Sequence, residues 1–123
     1  MAFGSIRRVP LLSRSFKWHG WQIIFDKLTN IGAQVGVLQL EDEPKARLLT
    51  ESNFTHRAPA LSPDGQWVAY MSNESGSFRV LVQPFPEMNT GRWQVGTEDA
   101  YSPIWSPNGR ELFYLSNSIM MAV

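Results

Sequence analysis

The sequence predicts an all-β fold built from about three copies of one four-stranded antiparallel unit, and an internal repeat is the first observation behind it. Residues 59–73 read PALSPDGQWVAYMSN, and residues 103–117 read PIWSPNGRELFYLSN. Identical residues, such as Pro59 and Pro103 or Tyr70 and Tyr114, recur at a constant offset of 44 without a gap. A fixed period of roughly 20 to 50 residues is typical of a repeat architecture.

The second observation is the turn chemistry at the centre of each copy. Pro63 presets φ for the first central position of a tight turn, the Asp64 side chain can hydrogen-bond the nearby backbone, and Gly65 supplies the position with φ > 0. The same roles return in the second copy at Pro107, Asn108 and Gly109. Residues rich in Trp, Val, Leu, Phe and Tyr follow each turn, which favours β-hairpins. We therefore expect Asp64 and Asn108 to hold their own turns rather than to bind a cation.

The third observation is the order of segments along the chain. Residues 15–25 align with 60–70 at an offset of 45, which makes them a degraded first copy. The hairpins are followed by predicted third strands at 34–40, 78–85 and 119–123, and by fourth strands at 46–50 and 92–95. No segment has a credible helical period with caps. The predicted division is an N-terminal segment 1–14, a degraded repeat 15–53, a repeat 54–98 and an incomplete repeat 99–123.

Composition and charge narrow the class of protein. The net charge is 0, which gives no electrostatic footprint for nucleic acid or an anionic membrane, and the chain has no Cys. No segment has the apolar length of a signal-peptide core or a membrane helix. We therefore expect neither a nucleic-acid nor a membrane partner. A cytoplasmic location is the default expectation, with the periplasm as the alternative.

Five stretches carry a resemblance to a known family: ALSPDGQWVAY, SNESG, VLVQPFP, GRWQV and IWSPNGRELFY. Together they resemble the TolB-like, WD40-like β-propeller repeats, most closely the propellers at the C-terminal end of some bacterial serine/threonine kinases. The resemblance covers residues 54–123 well, 21–53 fairly and 1–14 not at all. It implies four-stranded blades that form a scaffold for contacts with proteins or small ligands. The chain departs from the family in having no kinase motif, no peptidase domain and too few repeats for a ring.

The number of repeats predicts association. A propeller usually has about 4–8 blades, whereas 123 residues divided by 44 gives about 2.8 repeats. In one interpretation, Ile6–Val9 completes the last blade of a second copy, so that two chains form a six-bladed ring. In the other, the chain is a fragment of a longer protein. Either way, the end sheets should expose apolar faces, and the predicted last strand 119–123 carries no charge to block pairing. We expect a homo-oligomer.

Candidate site residues are few. His19 and His56 lack a nucleophile at a recognisable spacing, and no Gly-x-Ser-x-Gly elbow is present, so we expect no catalytic residue, metal or cofactor. Solvated turn charge explains Asp26 and the acidic run 41–43. Blade packing explains the aromatic residues of the predicted strands. If a ligand binds, the links that enter each blade should contact it at the mouth of a central channel, through His56, Arg57, Asp99 and Tyr101.

The sequence therefore predicts a non-enzymatic propeller module for protein–protein interaction or ligand binding, assembled with itself, with another protein as a further candidate partner. The first alternative is a detached sensor or regulatory fragment of a larger kinase or peptidase. The second is a hydrolase whose site forms between subunits, which would require an activity that His56→Ala abolishes.

Overall fold

The structure, a computed structural model, describes residues 13–19, 22–40 and 43–123. Within this part of the chain it contains eleven strands and one short 3₁₀ turn, Met88–Thr90. The strands are β1 Ser13–His19, β2 Gln22–Thr29, β3 Gly32–Gln39, β4 Lys45–Leu48, β5 His56–Leu61, β6 Trp67–Ser72, β7 Arg79–Pro84, β8 Trp93–Val95, β9 Tyr101–Trp105, β10 Leu112–Ser116 and β11 Ile119–Ala122.

The strands form three antiparallel sheets that follow chain order. The first sheet contains β1–β4, the second contains β5–β8 and the third contains β9–β11. The predicted all-β fold and the predicted order of strands in each unit are confirmed. β1 begins at Ser13, two residues before the predicted start, and the predicted complementing strand Ile6–Val9 lies outside the described residues. No helix in the described part of the chain has the length and apolar character needed to cross a membrane.

The predicted turn chemistry is confirmed in the second sheet. Asp64 Oδ1 accepts hydrogen bonds from Ser62 Oγ at 2.6 Å and from the Gln66 amide at 3.0 Å. The Gly65 amide donates to Ser62 O at 2.8 Å, and Gly65 has φ of 73°. Because an L side chain strains that conformation, glycine fits it best. Asp64 therefore holds its own turn, as predicted.

The third sheet repeats this turn bond for bond. Asn108 Oδ1 accepts from Ser106 Oγ at 2.7 Å and from the Arg110 amide at 2.9 Å. Gly109 has φ of 72°, and its amide donates to Ser106 O at 2.9 Å. The Ser106 hydroxyl also accepts from the Glu111 amide at 3.1 Å. Residues 44 positions apart in the two turns thus form equivalent hydrogen bonds.

A second repeated feature is a bulge in the first strand of the second and third sheets. Ala58 has φ of 52° and Ser102 has φ of 53°, again 44 residues apart, and the strand register shifts beside each. The Ala58 amide donates to Asp26 Oδ2 in the first sheet at 3.0 Å. Asp26 is only 2% exposed. The prediction that Asp26 is a solvated turn charge was wrong, because its strand directs it onto the bulge of the next sheet.

The second sheet is buried on both faces. Successive side chains of a strand point to opposite faces, and β6 shows this alternation clearly. Val68 and Tyr70 pack into a core shared with the first sheet, through residues such as Val37. Ala69 packs into a core shared with the third sheet, through residues such as Tyr114. The middle sheet is thus sandwiched between its two neighbours.

Polar contacts accompany this packing. Trp105 Nε1 donates to Ala60 O across the boundary between the second and third sheets at 2.9 Å. The buried hydroxyl of Tyr70 donates to Gln83 Oε1, and that of Tyr114 donates to Glu98 Oε1 at 3.3 Å. Buried phenols are expected to find partners of this kind. The predicted packing role of both tyrosines is confirmed.

Replacing Ser106 with Ala should destabilise the fold by about 1–3 kcal/mol, because the turn loses a donor to Asn108 and an acceptor for the Glu111 amide. Denaturant unfolding followed by tryptophan fluorescence measures the change. Ser75→Ala, at an exposed position, is the matched control and should change the free energy of unfolding by less than about 0.5 kcal/mol. Equal effects of the two substitutions would contradict this account of the turn.

Candidate functional site

An open pocket lies on the second sheet, beside the segment that links it to the first sheet. Its volume is about 470 Å³. We call it the arginine pocket. Its apolar lining is Phe54, from the link between β4 and β5, and Leu81 of β7. Its polar lining consists of Ser72, Glu74, Ser75, Arg79, Arg92 and Gln94.

Two ion pairs define the charge of the arginine pocket. Arg92 Nη1 lies 2.6 Å from Glu74 Oε1, and both residues of this ion pair line the pocket. Arg79 Nη1 lies 2.5 Å from Asp99 Oδ1 and also donates to Phe78 O at 3.2 Å. The hydrogen bond from Arg79, with a further one from Ser77, lowers the pKa of the exposed Asp99 carboxyl. The two guanidinium groups are therefore held by acidic partners on different segments.

A buried polar group lies close to the arginine pocket. His56 is 3% exposed; its Nε2 lies 2.8 Å from Ser52 Oγ, and the two form a hydrogen bond. His56 Nδ1 has no hydrogen-bond partner in the described part of the chain. The ring packs edge-on against Tyr70, with 5.5 Å between centroids. Burial lowers the pKa of His56, Glu74 opposes this shift and Arg92 adds to it, so the imidazole is neutral at pH 7.

Hydrogen bonds link the Tyr70 hydroxyl, through Gln83 of β7, to the 3₁₀ turn Met88–Thr90. The hydroxyl donates to Gln83 Oε1, and Gln83 Nε2 donates in turn to Met88 O at 2.7 Å. Burial raises the pKa of Tyr70 to about 12, so the phenol is neutral as well. A Ser–His pair resembles part of a nucleophile–base arrangement, but such an arrangement also needs a third group to orient the second ring nitrogen. No described residue supplies that group to His56 Nδ1.

The four residues predicted at a channel mouth have different partners. Asp99 pairs with Arg79, and Tyr101 packs against Phe78 with ring centroids 5.7 Å apart. Arg57 is half-buried at the β5 bulge, opposite Met71. His56, described above, is buried rather than at a surface. The pairing of Asp99 with Arg79 places one of the four next to the arginine pocket, and their role in ligand binding stays a prediction.

Sequence reasoning missed the residues that line the arginine pocket. Arg79 and Arg92 lie on the third and fourth strands of their sheet, outside the repeated hairpin. Phe54 lies in a link, where the offset of 44 leads to Glu98. The only available signal was that Arg92 follows Arg47 by 45 residues, and that signal indicates a repeat rather than a site. Residues that depart from the repeat could have been the better guide.

A second concavity of about 390 Å³ lies where the second sheet meets the third. Three tryptophans line it, namely Trp67, Trp93 and Trp105. Trp67 and Trp93 are exposed and meet edge to face, with ring centroids 5.7 Å apart. Packing between blades therefore accounts for only part of the surface of these rings.

The third sheet has one face that no other described element covers. Ile104, Leu115 and Met120 on this face are 47%, 38% and 59% exposed. Leu115 lies opposite Met120 in the strand register, so that the two side chains share the face. At the offset of 44, Ala60 of the second sheet corresponds to Ile104 but is 2% exposed, because the third sheet packs there. We call this surface the uncovered face.

Comparisons with known proteins bear on the fold. No protein-family model matches the chain, and no curated protein matches it either. A solved TolB structure from Agrobacterium tumefaciens is 16% identical, with a TM-score of 0.73 over 88% of this chain and 40% of that one. TolB from Acinetobacter baumannii is 15% identical, with a TM-score of 0.63 over 84% of this chain and 26% of that one.

The β-propeller domain of the Trilobed protease from Pyrococcus furiosus is also similar. It is 15% identical, with a TM-score of 0.57 over 85% of this chain and 34% of that one. The chain therefore has a TolB-like β-propeller fold, and it spans less than half the length of these solved structures. The predicted resemblance is confirmed at the level of the fold. The closer likeness to kinase propellers stays a prediction.

Protonation of His56 should destabilise the fold in acid. Because burial lowers the pKa of His56 below the ordinary value of 6.5, the unfolded chain binds the proton at a higher pH than the folded chain does. The free energy of unfolding therefore falls as the pH drops below about 6.5. Urea unfolding midpoints should fall more steeply between pH ~7 and ~5 for the unmodified chain than for His56→Ala. Parallel pH profiles would contradict the burial of a neutral His56.

Proposed function

We propose that this TolB-like β-propeller chain is a non-enzymatic binding module for a protein or ligand, and that it assembles with a second copy of itself. The observation that carries the self-assembly is the uncovered face of the third sheet. Apolar side chains as exposed as Ile104 and Met120, grouped on one sheet face, mark an interaction surface. Burying such a face stabilises a complex by roughly 25 cal/mol per Å² of apolar area removed from water.

The internal repeat supports a sheet as the partner of this face. Phe113 in the uncovered face corresponds to Ala69, which is fully buried between the second and third sheets. The same sheet position is thus covered by a neighbouring sheet within the chain and open in the third sheet. A second copy of the chain offers sheets of the same kind, and closure of two copies under two-fold symmetry would yield a ring.

The edge strand β11 offers a second contact to such a partner. The first and second sheets have four strands each, whereas the third has three among the described residues, with β11 at its edge. The sequence of β11, Ile119–Ala122, contains no charged residue. An uncharged edge presents free backbone groups to which a strand of another chain can add. The predicted donor of that strand is Ile6–Val9 of the second copy.

The alternative function is that of a sensor or regulatory part of a larger kinase or peptidase. Its support is the length comparison, since the chain matches only 40% of the Agrobacterium tumefaciens TolB and 34% of the Trilobed protease propeller domain. In that case other blades of the same protein would cover the uncovered face. The two functions differ in what the isolated chain does in solution.

Light scattering on a size-exclusion column, across a dilution series, tests self-assembly. We expect a sharp species at twice the chain mass of 14.0 kDa that resists dilution. Leu115→Glu should reduce the mass to that of one chain, because a charge in the uncovered face must be desolvated on association. Leu28→Glu is the matched control, since Leu28 is an exposed strand leucine of the first sheet, and it should leave the mass unchanged.

Two results would overturn the proposed self-assembly. One is a single-chain mass at every concentration. The other is an equal loss of the dimer in both glutamate variants, since that would show a general effect of added charge. A ladder of masses that grows with concentration would favour the larger-protein alternative, in which the face is an interior surface of a longer propeller.

A further inference from the structure

We propose that the arginine pocket binds a ligand that presents a carboxylate next to an apolar group, as the C-terminus of a peptide or a small organic acid does. The inference rests on the proposed function as a binding module. It does not depend on self-assembly, because the pocket lies on the second sheet and the uncovered face lies on the third.

The guanidinium groups of the arginine pocket provide the first argument. A guanidinium group has five N–H donors arranged for bidentate recognition of a carboxylate. In the described part of the chain, Arg92 pairs with Glu74 through Nη1 and also hydrogen-bonds the Tyr70 hydroxyl. The hydrogen bonds of Arg79 leave from Nη1. These contacts use only part of the five donors of each guanidinium group, and a carboxylate can accept from the rest.

The charge of the pocket selects the kind of anion. The charged side chains of the lining are Arg79, Arg92 and Glu74, which sum to +1. Asp99 offsets Arg79 from outside the lining. With Asp99 the four charges sum to 0. A monoanionic carboxylate therefore meets less repulsion from the two acidic residues than the larger negative charge of a phosphate monoester does. The pocket therefore favours a carboxylate over a phosphate.

The apolar lining specifies the other part of the ligand. Phe54 is 43% exposed and stands beside Leu81, which is buried in the core between the first and second sheets. An aromatic or aliphatic group placed against the Phe54 ring would remove both surfaces from water. The pocket volume of about 470 Å³ lies within the range of roughly 300–1,000 Å³ that is usual for small-ligand sites.

The internal repeat shows that the fold does not require this lining. At the offset of 44, Phe54 corresponds to Glu98. Arg79 lies opposite Ser72 in the strand register, and Ile119 lies opposite Ser116, so an isoleucine takes the place of Arg79 in the third sheet. Glu74 lies in a connection that is longer in the second sheet than in the third. The third sheet forms the same hairpin with these different residues. The aromatic, acidic and basic side chains of the arginine pocket are thus additional to what a sheet of this fold needs, which is the pattern expected of a binding site.

The test is a titration followed by amide chemical shifts of the isotope-labelled chain. The probes are N-acetylphenylalanine, its carboxamide, 3-phenylpropionate and phenyl phosphate. We expect N-acetylphenylalanine to shift the amides around Phe54, Arg79 and Arg92, and to bind at least about tenfold more tightly than the carboxamide, since the latter lacks a charged hydrogen-bonding group. Phenyl phosphate should bind more weakly than N-acetylphenylalanine. A preference for N-acetylphenylalanine over 3-phenylpropionate identifies a peptide C-terminus, and equal binding identifies a small organic acid.

Two variants assign the binding to the pocket. Arg92→Gln should weaken N-acetylphenylalanine about tenfold, and Arg92→Lys should fall between that variant and the unmodified chain, because lysine keeps the charge but loses the planar fork. The control is Arg110→Gln, at an exposed turn of the third sheet, which should leave binding unchanged. Equal binding of the acid and its carboxamide, equal losses in Arg92→Gln and Arg110→Gln, or tighter binding of phenyl phosphate would each overturn the inference.

A repeat of the titration with Leu115→Glu separates this inference from the proposed self-assembly. We expect the same affinity for N-acetylphenylalanine in that variant, whatever its mass in solution. Loss of the dimer with unchanged binding of N-acetylphenylalanine would support a ligand site in the arginine pocket that does not depend on self-assembly. Loss of binding in Leu115→Glu, while the amides of the second sheet keep their positions, would place the site at the uncovered face and overturn the inference.

Discussion

The burial of both faces of the second sheet is the constraint on which the rest of the structure depends. Val68 and Ala69 are consecutive residues of one strand that point to opposite faces, and both are fully buried. A sheet that is apolar on both faces needs a layer on each side. The first sheet supplies one layer and the third supplies the other. The third sheet has an apolar face that no other described element covers. By the same reasoning, this face also needs a layer packed against it.

Polar contacts between neighbouring sheets make this stacking specific. The Asp26 carboxylate accepts from the Ala58 amide at the bulge of the next sheet, and Trp105 Nε1 reaches Ala60 O across the following boundary. Each contact joins a side chain of one sheet to the backbone of another. Because a buried backbone group without a partner is unfavourable by about 1–3 kcal/mol, these contacts discourage any other alignment of the sheets. Ala58, which has a positive φ, is held by its contact with Asp26 rather than by the freedom of a glycine.

What the sequence predicted well is chemistry that acts within a few residues. The turn at 62–67 was predictable because Pro63, Asp64 and Gly65 act on their own backbone, and the repeat at 106–111 doubled the signal. Burial of Asp26 was not predictable, since it depends on a bulge in another sheet, and Ala58 carries no residue type that indicates φ of 52°. His56 was predicted in the link just before the first strand of the second copy, and it is the first residue of β5. Its buried contacts with Ser52 and Tyr70 were not predicted, because they depend on how the 49–55 link folds back.

The repeat also allows one sheet to serve as a reference for another. His56 and Ala100 occupy the same position at the offset of 44, and both are buried. Alanine fills that position without a polar atom, whereas His56 introduces an Nδ1 with no partner among the described residues, at a cost of about 1–3 kcal/mol. Tyr70 and Tyr114 likewise share a position but donate to different residues, Gln83 and Glu98. A side chain that is less favourable for stability than its internal counterpart is better explained by a role in binding than by folding. His56 interacts electrostatically with Glu74 and Arg92, so this argument leads to the arginine pocket independently of the guanidinium donors.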